Sequence, residues 1–317
     1  MAHMERERIL IISHSYTPFL NPRAFRWSAI AEIWAAQGLK VDVITSWTPG
    51  LKRCEISNGV EIHRISGNVI ERLRSLLRPK SRATTADDSS RASKSHEGFL
   101  SQIIAWILAA AKCVNDKVWK NVYWPDYACL WIVPAAAKAL ELFEMEKYGT
   151  VISVSDPVSS HLVGKKVKSV YHDIKWIVDI GDPFCFREDT PPNNYRLYDN
   201  LNIRSERKIF GLADSISVTC QPTATKYSQM FPEFKDKIVV IPPLLSMNRR
   251  GKVATPFFHQ GSKIRLLYVG TLYRAIRSPK FLLTLFEQLL EIMPHEEIEL
   301  HFIGGNDECV EHFQPYV

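Results

Sequence analysis

The feature that most constrains the fold is a series of short apolar runs, each followed by a segment with helical periodicity. The strand-like runs of the first part of the chain lie at 9–13, 41–45, 60–65, 150–154, 176–180, 215–219 and 238–241. Several are apolar at successive positions, which is typical of parallel strands covered on both faces. After the first run, Trp27, Ile30 and Trp34 recur at helical spacing, and Gly38 ends that segment. The pattern predicts a doubly wound α/β domain.

The alternation is interrupted before the last part of the chain and then restarts. Residues 246–262 contain Pro, Gly and charge without a clear period, which indicates a linker. A strand at 264–269, a helix at 279–292 and a strand at 298–303 follow. The sequence therefore predicts an N-terminal Rossmann-like domain at 5–245 and a partial second Rossmann-like domain at 263–317. Because such domains need roughly 100–150 residues, we expect a fragment or an incomplete second domain.

Composition limits the classes of partner. Lys and Arg number 40 against 34 Asp and Glu, a net charge of +6. This excess suits anionic small molecules or a membrane surface and is too weak to indicate nucleic acid. The six cysteines lie far apart, without Cys-x-x-Cys or a zinc-ligand spacing, which favours reduced thiols in a cytosolic protein.

One segment predicts a contact with a membrane. Residues 72–97 are rich in Ser, Arg and Lys, which predicts a mobile loop, and an apolar stretch follows at 99–111. We expect 72–112 to touch the inner face of the cell membrane through its cations and a shallow apolar helix, although packing of that helix on the sheet is an equal alternative. The longest apolar run, at 103–111, is shorter than the ~20 residues that span a bilayer.

Candidate site residues follow the strands, because ligands of doubly wound sheets bind beyond the carboxyl ends of the strands. His14, Asn21, Arg23 and Arg26 come after the first run, in a loop without Gly-x-Gly-x-x-Gly. The missing glycines disfavour a redox dinucleotide enzyme. Arg23 and Arg26 lie at i and i+3 near a helix N-terminus, where they predict a phosphate clamp; ion pairs with acidic surface neighbours are the alternative.

Two further loops offer polar side chains. Ser155 or Asp156 is expected to cap a helix that begins near Pro157, and His161 lies about one turn into it, in a catalytic or a structural role. Asp182 follows Gly181 directly after the 176–180 run. In this position we expect it either to bind acceptor hydroxyls or to cap a turn.

The second domain carries a glycine and three cations after its first strand. Gly270 allows a close backbone approach to a diphosphate, and Arg274, Arg277 and Lys280 are spaced to surround it. This pattern predicts a diphosphate-binding site.

An ordered set of segments resembles glycosyltransferase family 4 of the GT-B fold, most closely its bacterial surface-polysaccharide branch. The segments are SHSYTPFLNPRAFRWSAIAEIWAAQGLKVDVIT, VSDPVSSHLVG, VDIGDPF, ERKIFGLADSISVTC, KIVVIPP and LLYVGTLYRAIRSP, and together they extend over nearly the whole chain. The resemblance implies a retaining, metal-independent sugar transfer from a nucleotide-diphosphate sugar, a substrate rather than a cofactor, to a saccharide or lipid-linked acceptor. The cysteine pattern and the 72–112 segment lead us to expect a cytoplasmic protein that is peripheral on the inner face of the cell membrane.

The resemblance also implies roles for the candidate residues. Gly270, Arg274, Arg277 and Lys280 would face the donor diphosphate. The first loop, His14 to Arg26, would line the cleft between the domains. We expect Ser155 and Asp156 to lie on the same acceptor side, and Asp182 and His161 to be the catalytic residues. The chain departs from the family in lacking the loop glycines and in having Ser155 where some relatives have His. The family's two donor-binding glutamates would fall beyond residue 317, so we expect this chain to be catalytically incomplete. A non-catalytic GT-B-like scaffold and a GT-B nucleotide-sugar epimerase are the alternatives.

Overall fold

The structure is a computed structural model, which describes residues 7–67, 119–187, 189–243, 263–273, 277–292, 297–304 and 313. The chain divides into two compact units, Met1–Met247 and Asn248–Val317. The whole of the predicted membrane segment 72–112, the linker 246–262 and Arg274 lie outside the described residues.

The first unit is built on an eight-stranded sheet, with the strand order β3-β4-β2-β1-β5-β6-β7-β8. The strands are β1 Arg8–Ser13, β2 Lys40–Ser46, β3 Cys54–Ser57, β4 Val60–Ile65, β5 Thr150–Ser155, β6 Lys175–Ile180, β7 Ser215–Val218 and β8 Ile238–Val240. All neighbours are parallel except β3 and β4, which form an antiparallel hairpin. The predicted strands are confirmed, and β3 is an addition to them.

Helices cover both faces of this sheet. They are α1 Pro22–Ala36, α2 Ile132–Met145, α3 Ser159–Val170, α4 Tyr195–Leu212 and α5 Gln221–Met230. A helical turn at Lys120–Val122 and a 3₁₀ turn at Cys129–Trp131 precede α2, and a 3₁₀ turn at Pro232–Lys237 follows α5. In the described residues, no helix combines the length and the apolar character that crossing a membrane requires.

Successive strand residues enter two different apolar clusters. Ile9 and Ile11 of β1 pack with Trp27 of α1, whereas Leu10 and Ile12 join the cluster that contains Trp131 and helices α2–α4. A strand that is buried on both faces needs apolar side chains at odd and even positions, which is why its sequence shows no alternation. The predicted α/β architecture with a mostly parallel sheet is therefore confirmed.

The second unit contains one β-α-β motif in its described residues. Strands β9 Ile264–Val269 and β10 Ile298–Ile303 are parallel neighbours, and α6 Lys280–Ile292 lies between them in sequence.

Candidate functional site

The strand order of the first unit reverses at β1. From β1 the chain builds β2 and β4 on one side, and later places β5 to β8 on the other side. The register pairs Ser13 with Val154, so the residues that follow β1 and β5 lie at the same edge of the sheet. Such a reversal leaves a crevice beyond the carboxyl ends of the strands, where doubly wound sheets bind ligands.

Four charged side chains meet at this edge, and we call Arg23, Asp156, Asp182 and Arg187 the ion-pair cluster. Arg23 Nη2 pairs with Asp182 Oδ2. Arg187 Nη1 lies 3.2 Å from Asp156 Oδ2 and 3.6 Å from Asp182 Oδ2. Two arginines and two aspartates balance in formal charge. The cluster thus offers solvent both donors and acceptors, a surface that suits a hydroxyl-rich ligand.

The guanidinium of Arg23 also contacts the backbone of β5 and β6. Its Nε donates a hydrogen bond to the carbonyl oxygen of Ser155 (2.6 Å). A Cβ at Gly181 would lie 2.6 Å from Nε and 2.7 Å from Nη2 of Arg23. Gly181 therefore admits the arginine, and only a glycine leaves this space open. The Ser155 hydroxyl is buried, with no hydrogen-bond partner among the described residues.

A buried carboxylate anchors the loop that carries Arg187. Glu206 of α4 accepts hydrogen bonds from the Cys185 backbone N–H (3.0 Å) and the Tyr227 hydroxyl (2.6 Å). Burial raises the pKa of Glu206 above its ordinary value. These hydrogen bonds hold the loop against α4 and α5 at Cys185, two residues before Arg187. The side chain of Arg187 therefore extends from a backbone that is held in place.

His14 lies against an aromatic wall. Its ring makes edge contacts with Tyr127 and Trp131, at centroid distances of 5.6 and 5.2 Å. Its backbone N–H donates to Ser160 Oγ of α3 (3.3 Å), and its carbonyl accepts from Thr45 Oγ1 (3.0 Å). These contacts place the predicted His14 at the carboxyl edge beside the first turn of α3.

Asp126 caps helix α3, and the predicted cap by Ser155 or Asp156 is wrong. The helix begins at Ser159, whose backbone N–H and hydroxyl donate to Asp126 Oδ2 (2.9 Å) and Oδ1 (2.6 Å). Burial raises the pKa of Asp126 to about 6; the hydrogen bonds from Ser159 oppose this, and the charge of Asp156 adds to it. Asp156 is therefore left for Arg187 rather than for the helix.

The structure separates Arg26 from Arg23, so the predicted two-arginine clamp is wrong. Arg26 is buried, and its Nη2 pairs with Asp179 Oδ1 at 3.2 Å. Asp179 also accepts from Trp27 Nε1 (2.8 Å) and Ser217 Oγ (2.6 Å). Arg26 neutralises a buried carboxylate beneath the sheet edge. Asn21 is the cap of α1, since its Oδ1 accepts from the Ala24 N–H at 2.8 Å.

His161 is part of the core. Its Nδ1 lies 2.8 Å from Ser153 Oγ, which also accepts from Trp176 Nε1 (2.9 Å). Burial lowers the pKa of His161 to about 3, so the imidazole is neutral. A neutral ring that is 3% exposed favours a structural role over the predicted catalytic one.

The second unit has a pocket of about 290 Å³ beyond β9, lined by Tyr268, Leu272, Arg277, Ser278, Pro279, Leu282 and Phe302. Arg277 is exposed, and no carboxylate among the described residues pairs with it. Gly270 has φ +153°, a conformation that side chains disfavour. Lys280 begins α6 and is exposed. Of the predicted donor cations, the structure thus places Arg277 in the pocket wall.

Sequence reasoning missed Arg187 and Asp126. Asp156, the closer partner of Arg187, and Ser159, the partner of Asp126, lie 31 and 33 residues away in sequence, so no local pattern connects these two pairs. An available signal was the stretch from Trp124 to Trp131, in which an aspartate is surrounded by aromatic residues.

Comparisons with known proteins support the fold. No protein-family model and no curated protein matches the chain. Among solved structures, a trehalose 6-phosphate synthase from Burkholderia multivorans is 10% identical, with a TM-score of 0.51 over 93% of this chain and 64% of its own. A structure of MnaA from S. aureus with UDP is 12% identical, with a TM-score of 0.44 over 98% of this chain and 66% of its own. This chain thus spans less than two thirds of the length of either structure. The similarity to the synthase confirms the predicted GT-B-type α/β fold.

Proposed function

We propose that this protein is a retaining glycosyltransferase, which moves a sugar from a nucleotide-diphosphate sugar to a saccharide or lipid-linked acceptor in surface-polysaccharide synthesis. The observation that carries the proposal is the ion-pair cluster at the carboxyl edge where the strand order reverses. Its carboxylates accept hydrogen bonds and its guanidinium groups donate them. A sugar acceptor rich in hydroxyl groups needs both, because each hydroxyl donates and accepts. Asp182 is about half exposed, with a side-chain accessibility of 49%, and we assign it to the acceptor hydroxyl.

The donor is assigned to the second unit. The pocket beyond β9 combines the Arg277 guanidinium with the rings of Tyr268 and Phe302, which suits a ligand with an anionic and an aromatic part. No metal is invoked, because a positioned cation stabilises a departing diphosphate. Gly270, Arg274 and Lys280 complete the proposed donor site, and His14, Ser155 and Asp156 the acceptor side. Asn21, Arg26 and His161 are assigned to the fold.

The site of action we propose is the cytoplasmic face of the cell membrane, which 72–112 would contact. The assignment to family 4 rests on the ordered sequence segments, and the similarity of fold to the synthase agrees with it.

The test is acceptor-dependent turnover. The full-length protein is incubated with UDP-, GDP- and ADP-sugars and with saccharide or lipid-linked acceptors. Products are identified by mass spectrometry, and the anomeric configuration is determined by NMR. We expect a sugar-extended acceptor with retained configuration. An epimerised donor without consumption of acceptor would assign an epimerase instead, and no turnover with any donor would favour a scaffold.

Arg277→Ala tests the donor assignment. In the full-length protein, loss of a charge-assisted contact to the departing diphosphate should lower kcat about 10²–10³-fold without a comparable loss of stability. The matched control is Arg207→Ala, which removes an exposed arginine paired with Glu233 (3.1 Å) in the other unit. Unchanged turnover of a folded Arg277→Ala variant would show that Arg277 is only a surface residue.

A further inference from the structure

Three side chains with metal-ligand chemistry converge on the β3–β4 hairpin. Cys54 of β3 is the cross-strand partner of His63 in β4. Glu61 lies two residues before His63 and therefore points to the same face of the sheet. The ligand atoms of Cys54, Glu61 and His63 all lie within 4.8 Å of one another. The hairpin forms one edge of the sheet, and strands β2 and β1 lie between it and β5. The three side chains are therefore separate from the ion-pair cluster, whose aspartates follow β5 and β6.

The distances fit a tetrahedral ion. Bond lengths of about 2.3 Å to sulfur and about 2.0 Å to nitrogen, at a tetrahedral angle, place these two ligand atoms about 3.6 Å apart. Cys54 Sγ lies 3.7 Å from His63 Nδ1 and 3.9 Å from Glu61 Oε1. Glu61 Oε1 is 3.4 Å from His63 Nε2, so a rotation of this half-exposed carboxylate is needed to face the ion.

The surroundings favour the same three ligands. The neighbouring carboxylate of Asp42 is already occupied, because it accepts from the Tyr148 hydroxyl (2.5 Å) and lies 3.4 Å from Arg8 Nε. Lys138 of α2 also acts electrostatically on Cys54 and His63, but its ammonium is paired with Glu141 at 2.6 Å. Cys54 is a free thiol. One thiolate and one carboxylate would balance the charge of a divalent cation.

We propose that this cluster binds a Zn²⁺ ion through Cys54 Sγ, His63 Nδ1 and one carboxylate oxygen of Glu61, with solvent at the fourth position. A sulfur, nitrogen and oxygen set of this kind suits zinc better than magnesium or calcium, which prefer oxygen alone. The exposed position of Cys54 leaves the fourth coordination site open to water. The ion links the edge strand β3 to β4 and takes no part in the proposed sugar transfer.

The test uses the whole chain, stripped of metal with a chelator. Co²⁺ is added as a spectroscopic substitute, and Zn²⁺ affinity is measured by calorimetry against a competing chelator. We expect a near-ultraviolet thiolate-to-cobalt band, visible absorption typical of tetrahedral coordination, and loss of both when Zn²⁺ is added. Cys54→Ser should abolish the thiolate band and weaken Zn²⁺ binding by more than the about 10–100-fold that removal of an outer-shell partner costs.

The matched control is Cys220→Ser, since Cys220 is also an exposed free thiol but lies at the start of α5. This variant should keep the band and the affinity. Glu61→Gln should keep the thiolate band and lower the Zn²⁺ affinity, which separates coordination from simple thiol reactivity. Absence of the band in the parent chain, or its persistence in Cys54→Ser, would overturn the proposal, because the signal would then be missing or come from another thiolate.

Discussion

Gly181 determines where Arg23 can lie. A residue with a side chain at this position would occupy the space of the guanidinium, whereas the glycine lets Arg23 donate to the Ser155 carbonyl while it pairs with Asp182. The arginine thus connects the ends of β5 and β6, and its geometry depends on a neighbour that has no side chain.

Gly181→Ala should displace Arg23 without unfolding the protein, because the atoms that must move are the far end of a flexible side chain. The free energy of unfolding should fall by about 1–2 kcal/mol, the combined contribution of one hydrogen bond and one partly exposed ion pair. Denaturant titration of Gly181→Ala, Arg23→Ala and the double variant measures the coupling. In the Arg23→Ala background, Gly181→Ala should lower the free energy of unfolding only slightly.

Gly211→Ala is the control for a glycine-to-alanine change. Gly211 lies within helix α4, and an added Cβ would be 3.6 Å from the Phe234 ring, an ordinary van der Waals distance. Because alanine favours a helix more than glycine does, the free energy of unfolding should be unchanged or raised. If Gly181→Ala costs the same with and without Arg23, the two residues are not coupled in the way the distances indicate.

At the scale of elements, helix α3 begins with a cap from outside its own segment. Asp126 supplies the acceptors for Ser159, although it comes before α2 in sequence. A carboxylate in this position joins the aromatic segment beside His14 to the helix that follows β5. The cap is stable as an ion only because three donors reach it, two from Ser159 and one from the Ala128 N–H (2.9 Å).

Asp126→Asn should change the pH dependence of stability. The pKa of Asp126 is about 6 in the folded protein, against an ordinary value of 3.8. Between pH 3.8 and about pH 6, Asp126 therefore holds a proton in the folded state that it has lost in the unfolded state. The stability contribution of this group is therefore fully present below pH 3.8 and is lost as the pH rises through about 6. A shift of about two units corresponds to about 3 kcal/mol.

Urea denaturation between pH 4 and pH 7.5 measures this effect. The stability of the parent chain relative to Asp126→Asn should decrease as the pH rises, with most of the change below about pH 6.5. Parallel pH profiles for the two proteins would show that Asp126 does not bind its proton more tightly when folded.

The sequence was informative about elements and less so about their partners. The strands of the central sheet could be predicted because burial on both faces produces apolar runs such as Ile9–Ile12. Strand β3 was missed since it is short and partly exposed, although Asn58-Gly59 is a strong hairpin signal. Asp182 was found because it follows a strand directly. Arg187, Asp126 and the cysteine–histidine pair of the hairpin depend on contacts that only the folded chain brings together.

At the scale of the whole molecule, each of the two units has its own internal contacts. In the second unit, the backbone of Gly270 occupies the space that a side chain at Gly304 would need. A Cβ at Gly304 would lie 2.1 Å from the carbonyl oxygen of Gly270, and both glycines have positive φ angles, +141° and +153°. Here the obstacle is backbone rather than a flexible side chain, so the strand ends themselves must separate if a side chain is added.

Gly304→Ala should therefore destabilise the second unit alone. Overpacking of this kind costs about 1–3 kcal/mol, with a further ~1 kcal/mol for the left-handed backbone. Hydrogen exchange followed by mass spectrometry should show faster exchange in peptides from β9 and β10, and unchanged exchange in peptides from β1 and β5. Gly211→Ala, whose added methyl group has room, should leave both sets unchanged. Equal acceleration in β1 and β9 would mean that the two units open as one cooperative body, and that the stability of the pocket beyond β9 is inseparable from the stability of the central sheet.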